Sequence, residues 1–115
     1  MSADRVHLTT GEDLEDLLQE ASTPVLVAFC ASWSGPSTML SPLLEEIAQA
    51  QADLLQVVKV DVDEARPLAA RYGVRQLPTL LLFQGGDVVA RLIGYMPRER
   101  LLSRLLPLIR PESPP

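Results

Sequence analysis

The chain is poor in the residues that most often signal chemistry or anchorage. Its 115 residues hold one cysteine, Cys30, one histidine, His7, and one tryptophan, Trp33. A single cysteine excludes an internal disulfide and fits a reducing compartment. Aromatic residues make up only 4% of the chain, so the core must be built from leucine, valine and alanine. No apolar run approaches the roughly 20 residues needed to span a bilayer. The start, Met1-Ser2-Ala3-Asp4-Arg5, has no apolar stretch behind it, so no signal peptide is expected and the protein is expected to be cytoplasmic. Cations are also outnumbered, 10 Lys and Arg against 15 Asp and Glu, for a net charge of −5. That balance argues against nucleic acid and against an anionic membrane surface as partners, since both need a basic patch.

What is present reads as one globular domain over residues 1–110. A proline-rich tail, 111–115, is expected to be disordered. Val6-His7-Leu8 is a strand candidate. Thr9 and Thr10 can cap the helix that follows, with Glu12 in capping-box spacing from Thr9. Leu14, Leu17, Leu18 and Ala21 give that helix an apolar face, and Pro24 ends the segment. Val25 to Cys30 is apolar without alternation, as in a strand covered on both sides. A helix over about 37–50 contains Pro42, which should kink it. Leu54 to Asp61 predicts a strand, Ala65 to Tyr72 a short helix and Thr79 to Phe83 a further strand. The turn Gln84-Gly85-Gly86-Asp87 should send Val88 to Ile93 back antiparallel. Leu101, Leu102, Leu105, Leu106 and Ile109 mark a last helix. The order β-α-β-α-β-α-β-β-α predicts an α/β fold, a mixed central sheet sandwiched by helices.

The stretch with chemical character is Trp33-Ser34-Gly35-Pro36-Ser37. Ser34 and Ser37 fall at a strand-to-helix junction, three residues apart, a spacing that puts both side chains on one face. Free N–H groups and the positive end of the helix dipole would stabilise an anionic nucleophile there. Thiolates exploit this position, above all in Cys-x-x-Cys pairs. Gly35-Pro36 suits the turn, proline being pre-set for a first helical position. The scaffold suits thiolates, and hydroxyls stand in their place.

On these residues the chain resembles the thioredoxin family, whose site reads Trp-Cys-Gly-Pro-Cys. Other matches are spread along the chain. Pro42 sits where the family kinks its long helix, and Val57-Val58-Lys59-Val60-Asp61 resembles its third strand with a buried lysine at Lys59. Gln76-Leu77-Pro78-Thr79 resembles its cis-proline segment. Gly86 and Gly94 match its hairpin and substrate-groove glycines. The resemblance implies the thioredoxin fold, with Ser34 and Ser37 at the positions of the attacking and resolving cysteines. Gly35, Pro36 and Lys59 would complete the catalytic set, and Trp33, Leu77, Pro78, Thr79 and Gly94 the substrate surface. It implies a cis Leu77-Pro78 bond, no cofactor and no metal. The implied partners are proteins with disulfides or extended segments, with a thioredoxin reductase as a candidate electron donor, and the chain is expected to be a monomer.

Two departures bear on activity. Disulfide exchange needs a thiolate, which neither serine supplies. Ala28 stands where the family has a buried aspartate that accepts a proton from the second cysteine. Cys30 stands where many relatives carry tryptophan, and reads as a small buried hydrophobe. A serine nucleophile would need a base, and His7 lies on the first strand, away from the site; the two hydroxyls read as helix caps. Asp61, Asp63 and Glu64 lack the calcium-loop pattern and read as partners of a helix dipole. The leading reading is a protein-disulfide reductase whose two cysteines are replaced by serine, leaving a redox-inactive mimic of the dithiol. The alternative is a natural peptide-binding adaptor or holdase that has given up redox work. A purely structural subunit of a larger assembly is a third, weaker reading.

Overall fold

The computed structural model describes residues 6–9 and 11–109, apart from the side chains of His7 and Leu8. The expected role of Thr10 as a cap, the side chain of His7 and the tail 111–115 lie outside what is described. Nine elements run in the order β1 (Val6–Thr9), α1 (Leu14–Glu20), β2 (Val25–Cys30), α2 (Gly35–Ala50), β3 (Gln56–Asp61), α3 (Arg66–Arg71), β4 (Thr79–Gln84), β5 (Asp87–Ile93) and α4 (Arg98–Ile109). The sheet has five strands in the order β1-β3-β2-β4-β5. β3 pairs parallel to both β1 and β2, while β4 pairs antiparallel to β2 and β5.

The central strand β2 shows why the chain adopts this layering. All six of its residues are buried. Side chains alternate across a strand, so Leu26, Ala28 and Cys30 enter one apolar cluster with Leu40, Leu44 and Ile47 of α2 and Leu101 and Leu105 of α4. Val25, Val27 and Phe29 enter the other, with Leu14 and Leu18 of α1 and Leu68 and Ala69 of α3. A strand with helices on both faces has no solvent side, hence the unbroken apolar run. In the turn before β5, Gly85 and Gly86 have φ of 60° and 88°. A two-residue hairpin turn needs positive φ at both positions, which glycine takes without a Cβ clash.

Some expected boundaries shift. Thr9 does not cap α1. Its hydroxyl accepts from the Gly11 amide at 3.0 Å and donates to the Asp13 carboxylate, which moves the helix start to Leu14. Thr9 ends β1 in register with Val60, so its backbone is committed to the sheet. β3 begins at Gln56 because Leu54 and Leu55 turn back, their amides donating to the Gln51 carbonyl. α4 begins at Arg98, before the first leucine of its face, and runs through Pro107 to Ile109, where the expected face ends.

Candidate functional site

β2 ends at Cys30, in the middle of the sheet, and α2 starts five residues later. Ser34 is the N-cap of α2, and its hydroxyl accepts from the Ser37 amide at 3.3 Å. Gly35 and Pro36 form the first turn, where proline's missing donor costs nothing. Ser37 is 1% exposed, and its hydroxyl accepts from the Ala31 amide at 3.3 Å. The helix start thus folds its two hydroxyls onto local backbone donors. Pro42 lies within α2.

Trp33 stands outside this cap. It is 68% exposed, held by a 2.8 Å hydrogen bond from its indole Nε1 to the Asp63 carboxylate. Asp63 was expected to complement a helix dipole. Instead α3 has no acid in its first turn, and Asp63 serves the Trp33 indole across the loop. Asp61 is likewise taken up locally, accepting from the Asp63 amide at 2.9 Å. The indole N–H was the signal that a polar partner had to be found.

The segment before β4 forms the facing wall. The Leu77-Pro78 peptide bond is cis. The Pro78 carbonyl accepts from the Gly94 amide at 2.8 Å, and Gly94 has φ of 89°, a conformation that favours glycine. The Thr79 hydroxyl turns back to the Gln76 carbonyl at 2.6 Å. Among the described residues no hydrogen bond uses the Leu77 amide or carbonyl. A groove of about 350 Å3 runs here, lined by Trp33, Ser34, Val62, Val74, Arg75 and Leu77. Sequence reasoning placed Trp33, Ser34 and Leu77 together; Val62, Val74 and Arg75 carry no motif and were missed.

Behind the helix start lies a second space of about 250 Å3, lined by Cys30, Ser37, Thr38, Ser41, Lys59 and Asp61 among others. Lys59 is half-buried, and its Nζ donates to the Ser41 hydroxyl at 2.6 Å. Ala28 lies in register with Lys59 and is fully buried within the apolar cluster. No carboxylate stands between that lysine and the serines at this position. Burial pushes the Cys30 thiol above its ordinary pKa, and Lys59 and the Ser37 hydroxyl pull less strongly the other way. A buried thiol with a raised pKa is a poor nucleophile.

A mixed five-stranded sheet between helices, a Ser-Gly-Pro-Ser helix start and a cis-proline segment before β4 together define a thioredoxin-fold protein. The thioredoxin family model matches residues 5–106. Thioredoxin from Alicyclobacillus acidocaldarius is 44% identical over 79% of this chain and 87% of its own length. Thioredoxin from Bacillus subtilis is 47% identical over 67% of this chain and 74% of its own. Thioredoxin C-2 from Corynebacterium nephridii is 42% identical over 88% and 93%. The chain belongs to the thioredoxin family. No helix among the described residues is long and apolar enough to cross a membrane.

Proposed function

We propose that this chain binds the extended or disulfide-bearing protein segments that a thioredoxin would reduce, and holds them without exchanging their disulfides. The observation that carries this reading is the unpaired Leu77 backbone. Leu77 is half-buried in the loop that leads into β4, and its free amide and free carbonyl can act as an open edge for pairing. An incoming extended segment can pair with it by strand addition, while its side chains enter the groove beside Trp33 and Leu77. Leu77, Pro78, Thr79, Gly94 and Trp33 form the binding half. Ser34, Gly35, Pro36, Ser37 and Lys59 keep the shape of the exchange half without its thiols. Without a dithiol the chain has no use for a reductase as electron donor. The lone buried cysteine suits a reducing compartment such as the cytoplasm.

Between the two origins of the serines, one observation favours long-standing loss of redox function. Ala28 is sealed among leucines, so a third element of the exchange machinery is missing. Replacement of two cysteines alone leaves that unexplained. The test has two arms. Titration with an extended peptide from a thioredoxin target should shift the amide resonances of Trp33, Leu77 and Thr79; unmoved resonances at all three would defeat the groove. In the second arm, Ser34→Cys/Ser37→Cys should reduce a peptide disulfide slowly, and adding Ala28→Asp should speed it. A full thioredoxin rate from the double variant alone would return the chain to the reductase whose cysteines were simply replaced.

A further inference from the structure

Gly94 ties the end of β5 to the cis-proline segment beside the groove. Ile93 pairs with Thr79 at the end of the sheet, and the Gly94 amide bonds Pro78, so the end of β5 lies beside the segment that carries Leu77. Ile93 is 50% exposed and Tyr95 38% exposed. Both border a cleft of about 320 Å3 whose far wall is α4, through Arg100 and Arg104. These arginines lie four residues apart, so they share one face of the helix. No ion pair or hydrogen bond within the described residues engages either guanidinium. Their neighbours are committed: Arg98 pairs with Glu46 at 3.5 Å, and Arg91 donates to the Tyr72 carbonyl. In a chain of net charge −5, residues 91–104 hold four arginines against one carboxylate, Glu99, which does not line the cleft.

We propose that this cleft is the charged end of the peptide groove and selects partner proteins whose docking segment carries carboxylates beside an apolar side chain. The inference rests on the groove reading above and adds the partner's chemistry to it. The apolar side chain lies on Ile93 and Tyr95. The carboxylates reach Arg100 and Arg104, which are free to receive them. In an extended segment alternate residues face the same way, about 6.6–7 Å apart. Facing helix positions four apart are separated by about 5–6 Å at Cβ. Asp-x-Asp therefore matches the two arginines, and adjacent aspartates would not.

The test uses the full chain and two peptides that differ only in Asp-x-Asp against Asn-x-Asn, placed at one end of an extended apolar segment and then at the other. Binding is read from Trp33 fluorescence and confirmed by calorimetry. The Asp peptide should bind about fivefold tighter for one of the two placements at low salt, and the gap should close as salt rises. Arg100→Gln/Arg104→Gln should make the two peptides equal without weakening the Asn peptide. Both side chains are exposed, so the variant keeps its fold. If both peptides bind equally at either placement, the arginine inference fails and the groove stands. A preference that survives in the double variant also overturns it. If neither peptide binds, the groove reading fails and takes this inference with it.

Discussion

Ala28→Asp probes a fully enclosed position of β2, in register with Lys59. Position 28 is 0% exposed and sits in the cluster that α2 and α4 close. Two costs follow, and they separate by pH. Extra volume in a close-packed core costs about 1–3 kcal/mol at any pH. The introduced carboxyl must also stay neutral or be buried charged. Fully buried carboxyls rise by up to about 3–5 units from an unfolded value near 3.9. Lys59, in register on β3, has its Nζ on the same side of the sheet, bonded to Ser41 of α2, so it favours the charged form and holds the rise to about 3 units.

Three units correspond to about 4 kcal/mol. A carboxyl whose folded pKa lies above its unfolded one binds its proton more tightly when folded. The electrostatic cost is therefore absent below about pH 4, grows as pH rises, and levels off above about pH 7. Guanidinium chloride unfolding of the variant and the parent, differenced at each pH, cancels the groups they share. The difference should be about 1–3 kcal/mol at pH 4 and about 4 kcal/mol larger at pH 8. A difference that stays flat with pH would refute the reasoning, because it would mean that the carboxyl is solvated or fully neutralised by Lys59.

Two further outcomes follow from the same site. Ser34→Ala removes the acceptor for the Ser37 amide and should cost about 1 kcal/mol in urea unfolding; an unchanged midpoint would show that the cap bond contributes nothing. Cys30 should react with iodoacetamide at least about tenfold more slowly in the native protein than in denaturant, because burial both shelters the thiol and raises its pKa. Its native rate should climb with pH as thiolate forms. Equal rates in the two states would place Cys30 at the surface.

The sheet and its layers were legible because β2 is apolar at six successive positions and the leucines of α2 and α4 recur at helical spacing. The hairpin was legible from two glycines. Contacts between residues distant in sequence were not. Trp33 meets Asp63 across 30 positions, and Lys59 meets Ser41 across 18. Spacing carries no trace of either bond, because the fold alone decides which polar tips come together. The start of α1 was misread for a local reason. Thr9 satisfied capping-box spacing but was already claimed by β1, and Asp13 then took its hydroxyl. Arg75 and Val74 entered the groove only through the path of the chain after α3, which no periodicity describes.

The site divides along the elements that carry it. Ser34 and Ser37 belong to one continuous piece of chain, the end of β2 and the start of α2, with Lys59 of β3 behind them. The proposed binding surface is assembled separately, from the loop before β4 and the end of β5, joined by the Gly94-to-Pro78 bond. The helix start at Ser34 and Ser37 caps itself through its own hydroxyls and backbone. Neither the Gly94–Pro78 bond nor the unpaired Leu77 backbone involves either serine. On the reading proposed above, a thioredoxin fold without exchange chemistry keeps its groove, and the free arginines beyond it would set the choice of partner.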